Sequence, residues 1–187
     1  MHHKKLIFFL ANFSLGGAGE AIKKLSIDLK TKGFQLKIIC LGKCAYEKEL
    51  KKNGIEIKEL SFNNTLNAMP EIKKICKSES KLYDTIFISN INYANALSLL
   101  FLRSINNLKI VLFERTPYEE LNFHFNSFSR YIKNKIIKLL IKFLYKKADL
   151  VVSNNKTTSA KLRSELKIKI STIYSQSIKR IKKFHIR

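Results

Sequence analysis

The sequence predicts an α/β fold, a Rossmann-like doubly wound and mostly parallel sheet with helices on both faces. Three observations predict it. Apolar runs of strand length alternate with segments of helical periodicity from residue 4 to residue 175, the pattern of repeated β-α units. The first run, "LIFFLA", is continuously apolar, as a strand covered on both faces of a parallel sheet must be. The turns are short, and no Pro/Gly-rich linker or internal repeat divides the 187 residues, so they read as one domain.

In chain order, "KKLIFFLA" (4–11) is the first strand. The glycine-rich turn after it leads into the helix "EAIKKLSIDLKTKG" (20–33), with Ala21, Ile22, Leu25, Ile27 and Leu29 as its apolar positions and Gly33 as its stop. "FQLKIICLG" (34–42) is the second strand, "AYEKELKKNG" (45–54) a short helix closed by Asn-Gly, and "IEIKELSF" (55–62) the third strand. "AMPEIKKICKSESK" (68–81) reads as a helix with Pro70 in its first turn, where a missing N–H costs nothing. "YDTIFISN" (83–90) is a strand, "YANALSLLFLRS" (93–104) a buried helix and "LKIVLFER" (108–115) a strand. The long basic helix "SRYIKNKIIKLLIKFLYKKA" (129–148), the strand "DLVVSN" (149–154), the helix "KTTSAKLRSEL" (156–166) and the strand "IKISTIYS" (168–175) complete the pattern.

Hydrophobic residues make up 45% of the chain and aromatics 11%, which excludes a disordered protein. The 36 Lys+Arg against 14 Asp+Glu give a net charge of +22. That excess suits an anionic partner, either nucleic acid or a membrane surface. It is equally what an AT-rich gene produces through its Lys, Ile and Asn codons. Aromatics are not interleaved with the lysines as stacking platforms, so no nucleic-acid partner is expected. Cys40, Cys44 and Cys76 have neither zinc nor redox spacing and read as buried or incidental thiols of a reducing cytosol. His2, His3, His124 and His185 have no ligand spacing, so no metal is expected. The apolar part of "MHHKKLIFFLAN" is too short for a signal peptide, and no run is long enough to span a bilayer. The chain reads as cytoplasmic.

The stretch "SLGGAGE" (14–20) places bare N–H groups and a helix N-terminus at the C-terminal edge of the sheet, a geometry suited to phosphate. Specific phosphate motifs fail. A third fingerprint glycine would fall at Ile22, "CLGKC" offers no acid for a ribose, and no GxxxxGK[ST] occurs. The turn alone is either a phosphate contact or a tight connection.

Four stretches in order resemble the N-terminal half of family 4 glycosyltransferases: "SLGGAGEAIKKLSIDLKTKGFQLKIICL", "YDTIFISNINYANAL", "VLFERTPYEEL" and "YKKADLVVSNNKTTSAKLRSELKIKISTIYS". The resemblance implies a GT-B fold, two Rossmann-like domains facing across a cleft, of which residues 1–175 are the acceptor-side domain. It implies retaining transfer of a hexosyl or N-acetylhexosaminyl unit from a nucleotide-sugar, the co-substrate, to a lipid-linked or surface glycan of the lipopolysaccharide or polysaccharide kind, with no cofactor. From it, Gly16, Gly17, Gly19 and Glu20 are expected at the donor phosphates or cleft, though Glu20 is also a good residue for any helix start. Asn90, Asn92, Tyr93, Glu114, Arg115 and Thr116 are expected at the acceptor, with a Glu114–Arg115 ion pair as the alternative for those two. No catalytic residue is assigned. The finish "IYSQSIKRIKKFHIR" departs from the family at Ser175, leaving a basic tail (176–187) and no donor-binding domain. The expected product is therefore a truncated relic or a subunit needing a separate donor-binding chain, inactive alone.

The basic helix carries seven cations and no acid between Ser129 and Lys147. Ile132, Ile136, Leu139, Leu140 and Phe143 are expected to share one face and Lys135, Lys138, Lys142 and Lys146 another. Such a helix either packs on the core with a solvated lysine face or docks on the anionic inner face of a bacterial membrane.

Overall fold

The structure, a computed structural model, describes residues 4–115 and 128–174. Seven parallel strands form one sheet: β1 (Lys4–Leu10), β2 (Gln35–Leu41), β3 (Glu56–Leu60), β4 (Asp84–Asn90), β5 (Leu108–Glu114), β6 (Leu150–Ser153) and β7 (Ser171–Thr172). Their spatial order is β3-β2-β1-β4-β5-β6-β7. Among the described residues six α-helices connect them: α1 (Gly17–Thr31), α2 (Glu47–Lys52), α3 (Thr65–Leu82), α4 (Asn92–Leu102), α5 (Phe128–Leu144) and α6 (Lys156–Leu166). All the strands being parallel, the expected doubly wound sheet is what forms.

The two windings bury opposite faces. Leu6, Phe8 and Leu10 of β1 pack with Ile22 of α1 and Leu50 of α2. Ile7 and Phe9, one residue out of phase, pack with Met69 of α3, Leu97 of α4, Ile141 of α5 and Leu162 of α6. This alternation with a period of two is what the unbroken apolar run of β1 satisfies. Central β1 is paired on both sides, Phe8 lying beside Ile38 and Ile88. All three cysteines are free and buried.

Three element boundaries and the facing of one helix differ from the sequence reading. α1 starts at Gly17, so Gly17 and Gly19 lie in its first turn. α3 starts at Thr65 because the Asn64 side chain accepts from the Asn67 N–H at 2.9 Å; Pro70 is thus inside the helix, beyond the first turn. β7 shrinks to two residues. On α5 the buried residues are Ile137 and Ile141, while Ile132, Ile136, Leu139 and Phe143 are exposed. Of the stripe expected on one face, Leu140 packs against the core and the other four face away from it.

At the N-terminal edge, Lys5 of β1 and Lys37 of β2 converge on Glu79 of α3, with Glu56 of β3 as second partner to both. Burial lowers the pKa of Lys37, but its hydrogen bonds to Glu56 and Glu79 outweigh burial and leave it raised. Burial raises that of Glu79, and the two lysines more than reverse it.

Candidate functional site

The windings reverse between β1 and β4, so a crevice opens at their C-terminal ends, where open α/β sheets bind ligands. Its first wall is the turn 11–16. Phe13 is buried and its ring lies 5.2 Å from that of Tyr46, while the Ala45 N–H donates to the Phe13 carbonyl at 3.0 Å. The Tyr46 hydroxyl accepts from the Gly16 N–H at 3.3 Å and donates to the Gly16 carbonyl at 3.4 Å. One tyrosine thus fixes the turn.

The three glycines do different work. Gly16 has φ +141°, a conformation other residues rarely adopt. A Cβ on Gly17 would meet nothing within 4 Å, so its position is open. A Cβ on Gly19 would stand 2.4 Å from the Ser14 carbonyl oxygen and 2.9 Å from the Tyr46 ring. The missing side chain of Gly19 therefore serves the packing of α1 on the turn. α1 has no side-chain cap, whereas Asn64 and Asn155 cap α3 and α6. An uncapped helix start leaves its N–H groups available to an anion. Glu20 points along the helix, with its carboxylate 3.0 Å from Lys23 and 3.8 Å from Lys24.

Arg115 ends β5 on the α1 side of the sheet. Its Nη1 donates to the Ala18 carbonyl at 3.0 Å, its guanidinium lies 5.0 Å from the Phe113 ring, and its buried Nε has no partner. Burial lowers its pKa. A groove of about 380 Å³ runs beside it, lined by Ala21, Lys24, Leu25, Phe113 and Tyr174 among others.

The other wall is the turn from β4 into α4. Asn90 is buried, its amide N–H reaching the Phe9 carbonyl at 3.5 Å and its Oδ1 unpartnered. Ile91 has φ +76°, which is strained for a β-branched residue. Its N–H donates to the Phe113 carbonyl at 3.2 Å. Asn92, with its amide turned so that both ends are satisfied, donates to the Glu114 carboxylate at 2.7 and 3.1 Å. Asn95 donates to Glu114 Oε1 at 2.7 Å, and the Tyr145 hydroxyl donates to the same oxygen.

Glu114 is wholly buried. Burial pushes its pKa up to about 7, against the pull of Tyr145 and Asn95. Neither Glu114 nor Asn92 can then touch an acceptor, a correction to that expectation: they tie the start of α4 to the end of β5. The Glu114–Arg115 ion pair does not form either, since neighbours on a strand face opposite sides of the sheet. Tyr93 is half-buried, its pKa raised by burial, with Lys133 Nζ of α5 4.1 Å from the ring centre. Thr116, His2, His3, His124, His185 and the tail 176–187 lie outside the described residues. Among the described residues no group of three His, Cys, Asp or Glu could hold a metal ion.

Tyr46, Asn95 and Tyr145 were not legible as site residues. Asn95 carries a usable signal, since a lone amide in the apolar run "YANALSLL" must find a buried partner. Tyr46 and Tyr145 carry none.

Solved structures match this geometry over most of the chain. Alr3699/HepE of Anabaena in complex with UDP and glucose matches 92% of the chain with a TM-score of 0.64 and 15% identity, over 45% of its own length. A glycosyltransferase from Rickettsia africae ESF-5 matches 92% with a TM-score of 0.61 and 20% identity, over 43% of its length. The chain shares their fold. It spans less than half the length of these proteins. No protein-family model matches the sequence, and no curated protein matches it.

Proposed function

We propose that this chain supplies the acceptor-side half of a family 4 type glycosyltransferase, moving a hexosyl or N-acetylhexosaminyl unit from a nucleotide-sugar to a glycan or lipid-linked acceptor. The observation that carries the reading is the uncapped start of α1 at Gly16 and Gly17, with the Arg115 guanidinium held against its first turn, at the crevice where the windings reverse. Backbone N–H groups and a fixed cation together stabilise negative charge developing on a leaving diphosphate. Tyr93, half-buried, stands beside the same crevice and offers a phenol to acceptor hydroxyls. The fold match to a protein solved with UDP and glucose supports the class of donor.

A second reading is a non-catalytic subunit or relic. One experiment separates the two. The chain is joined to the donor-binding half of a related glycosyltransferase, and UDP release from UDP-glucose is measured with a membrane glycolipid extract as acceptor. The first reading expects no turnover from the chain alone, turnover from the fusion, and loss of most of it in Gly17→Val. A folded but inert fusion overturns it in favour of the second.

A further inference from the structure

We propose that the α1 side of the sheet carries a docking groove for the chain's own basic tail, residues 176–187. The windings cover that side unevenly. α1 and α2 pack over β1 to β3 there, whereas the buried apolar residues of α3, α4, α5 and α6 belong to the opposite face. Right-handed crossovers require this, since those running outward from β4 to β7 put each connecting helix on the far face. The outer strands keep apolar residues on the α1 side all the same. Leu112 and Val151 are buried in the far cluster, so Val111 and Phe113 of β5, with Leu150 across the ladder from Val111, face α1. Leu150 is 40% exposed, and Ile173 and Tyr174, just past β7, are 55% and 58% exposed. Phe113, Ile173 and Tyr174 form one wall of the groove of about 380 Å³, and Leu25 and Leu29 of α1 form the other.

The tail starts at this groove. Tyr174 belongs to its lining and is the last described residue, and only Ser175, Gln176 and Ser177 separate it from Ile178. From there the sequence has a helical period. Ile178, Ile181, Phe184 and His185 fall within an arc of about 120°, with Lys179, Arg180, Lys183 and Arg187 opposite. In a strand Ile178 and Ile181 would face opposite ways. Ser177 stands where an N-cap is wanted. As a helix, Ile178 to His185 is about 10 Å long, which fits within the roughly 16 Å of α1, Ala21 to Lys32, that lines the groove. Apolar burial holds the contact against like charges: Lys24, Lys32 and Arg115 rim the groove, and the cations of the tail point to solvent. Tethering selects this occupant. A segment anchored at the rim meets the groove at an effective concentration of roughly millimolar order, whereas a second copy must bring together two proteins of net charge +22.

The test uses the full chain with the photo-crosslinker p-benzoylphenylalanine in place of Phe184. Illumination is expected to link it, within one molecule and at any protein concentration, to peptides from residues 21–32 or 108–115. In the unmodified chain, hydrogen exchange of the 178–185 amides should be slowed by about tenfold or more relative to an unstructured segment. The tail variant Ile178→Asp/Ile181→Asp and the groove variant Leu25→Asp should each remove most of that protection while the protection of β1 and β4 is unchanged. Added salt should strengthen the protection, because it screens the cations that tail and rim present to each other. Unprotected tail amides, protection that neither variant changes, or protection lost on adding salt overturns the proposal. Crosslinks that fall only outside those two peptides overturn it as well. Crosslinks that join two molecules and grow with protein concentration assign the groove to the tail of a second copy, which also overturns it. No sugar donor or acceptor enters these measurements, so their failure and that of the transfer reading are independent.

Discussion

Replacing Glu114 by Gln should make the chain less sensitive to alkaline pH. Glutamine is the neutral isostere. Its amide oxygen can still accept from Asn95 and Tyr145, and Asn92 can turn its own amide so that its oxygen receives the new N–H. In the wild-type fold burial raises the carboxyl from 4.5 to about 7, so the folded protein holds this proton more tightly than the unfolded chain. The stability from that difference is complete below about pH 4.5 and is lost as pH rises through about 7. A shift of that size corresponds to about 3 kcal/mol at 1.36 kcal/mol per unit. Urea unfolding of both proteins between about pH 5 and pH 8 isolates it, because the other titrating groups cancel in the difference. The Gln variant should gain about 2–3 kcal/mol on the wild type across that window. A difference that stays flat with pH would refute the reasoning, since Glu114 would then be ionised throughout.

Two further outcomes follow from the same geometry. Gly19→Ala puts a methyl against the Ser14 carbonyl and the Tyr46 ring and should cost about 1–3 kcal/mol, a drop of several degrees in Tm, whereas Gly17→Val, pointing into open space, should leave Tm within a few degrees by calorimetry. Glu79→Gln strips Lys5 and Lys37 of their best-buried partner and leaves them Glu56, which is half exposed; the loss should be about 1–2 kcal/mol near neutral pH, and because the Glu79 pKa is lowered in the fold, it should disappear as denaturation is repeated at pH falling below the ordinary carboxylate range.

The sheet was legible because parallel strands covered on both faces must be apolar throughout, and "LIFFLA" admits little else. The glycine turn was legible for the same kind of reason: Gly16 needs its positive φ and Gly19 its missing side chain, and both demands show as glycine. What each glycine serves was not legible, because that depends on Tyr46, which sits 30 residues from Gly16. Glu114 misled through parity. "FER" ends a strand at the right edge, but whether a side chain faces the crevice or the core turns on a period of two counted from β5 pairings. On α5 the periodicity of "IKNKIIKLLIKFL" supports apolar stripes on two sides, and only packing against α4 decides which is buried. The strain at Ile91 has no sequence signal, since isoleucine is the last residue a positive φ would suggest.

The central place of β1 has a consequence for synthesis. Its neighbour on one side, β2, follows within about thirty residues, but its neighbour on the other, β4, pairs Thr85 with Lys5. A nascent chain ending before α3 can assemble β1, β2 and β3 under α1 and α2, hiding Leu6, Phe8 and Leu10. It still shows the solvent Ile7, Phe9 and Ile39, which only α3, α4 and their companions cover. Distant parallel pairing of this kind is slow, and the half-built sheet offers both an unpaired edge and an oily face while it waits. The most apolar strand therefore leaves the ribosome ahead of its partners and is among the last of the sheet to be fully enclosed, which makes the growing chain a natural client for chaperones.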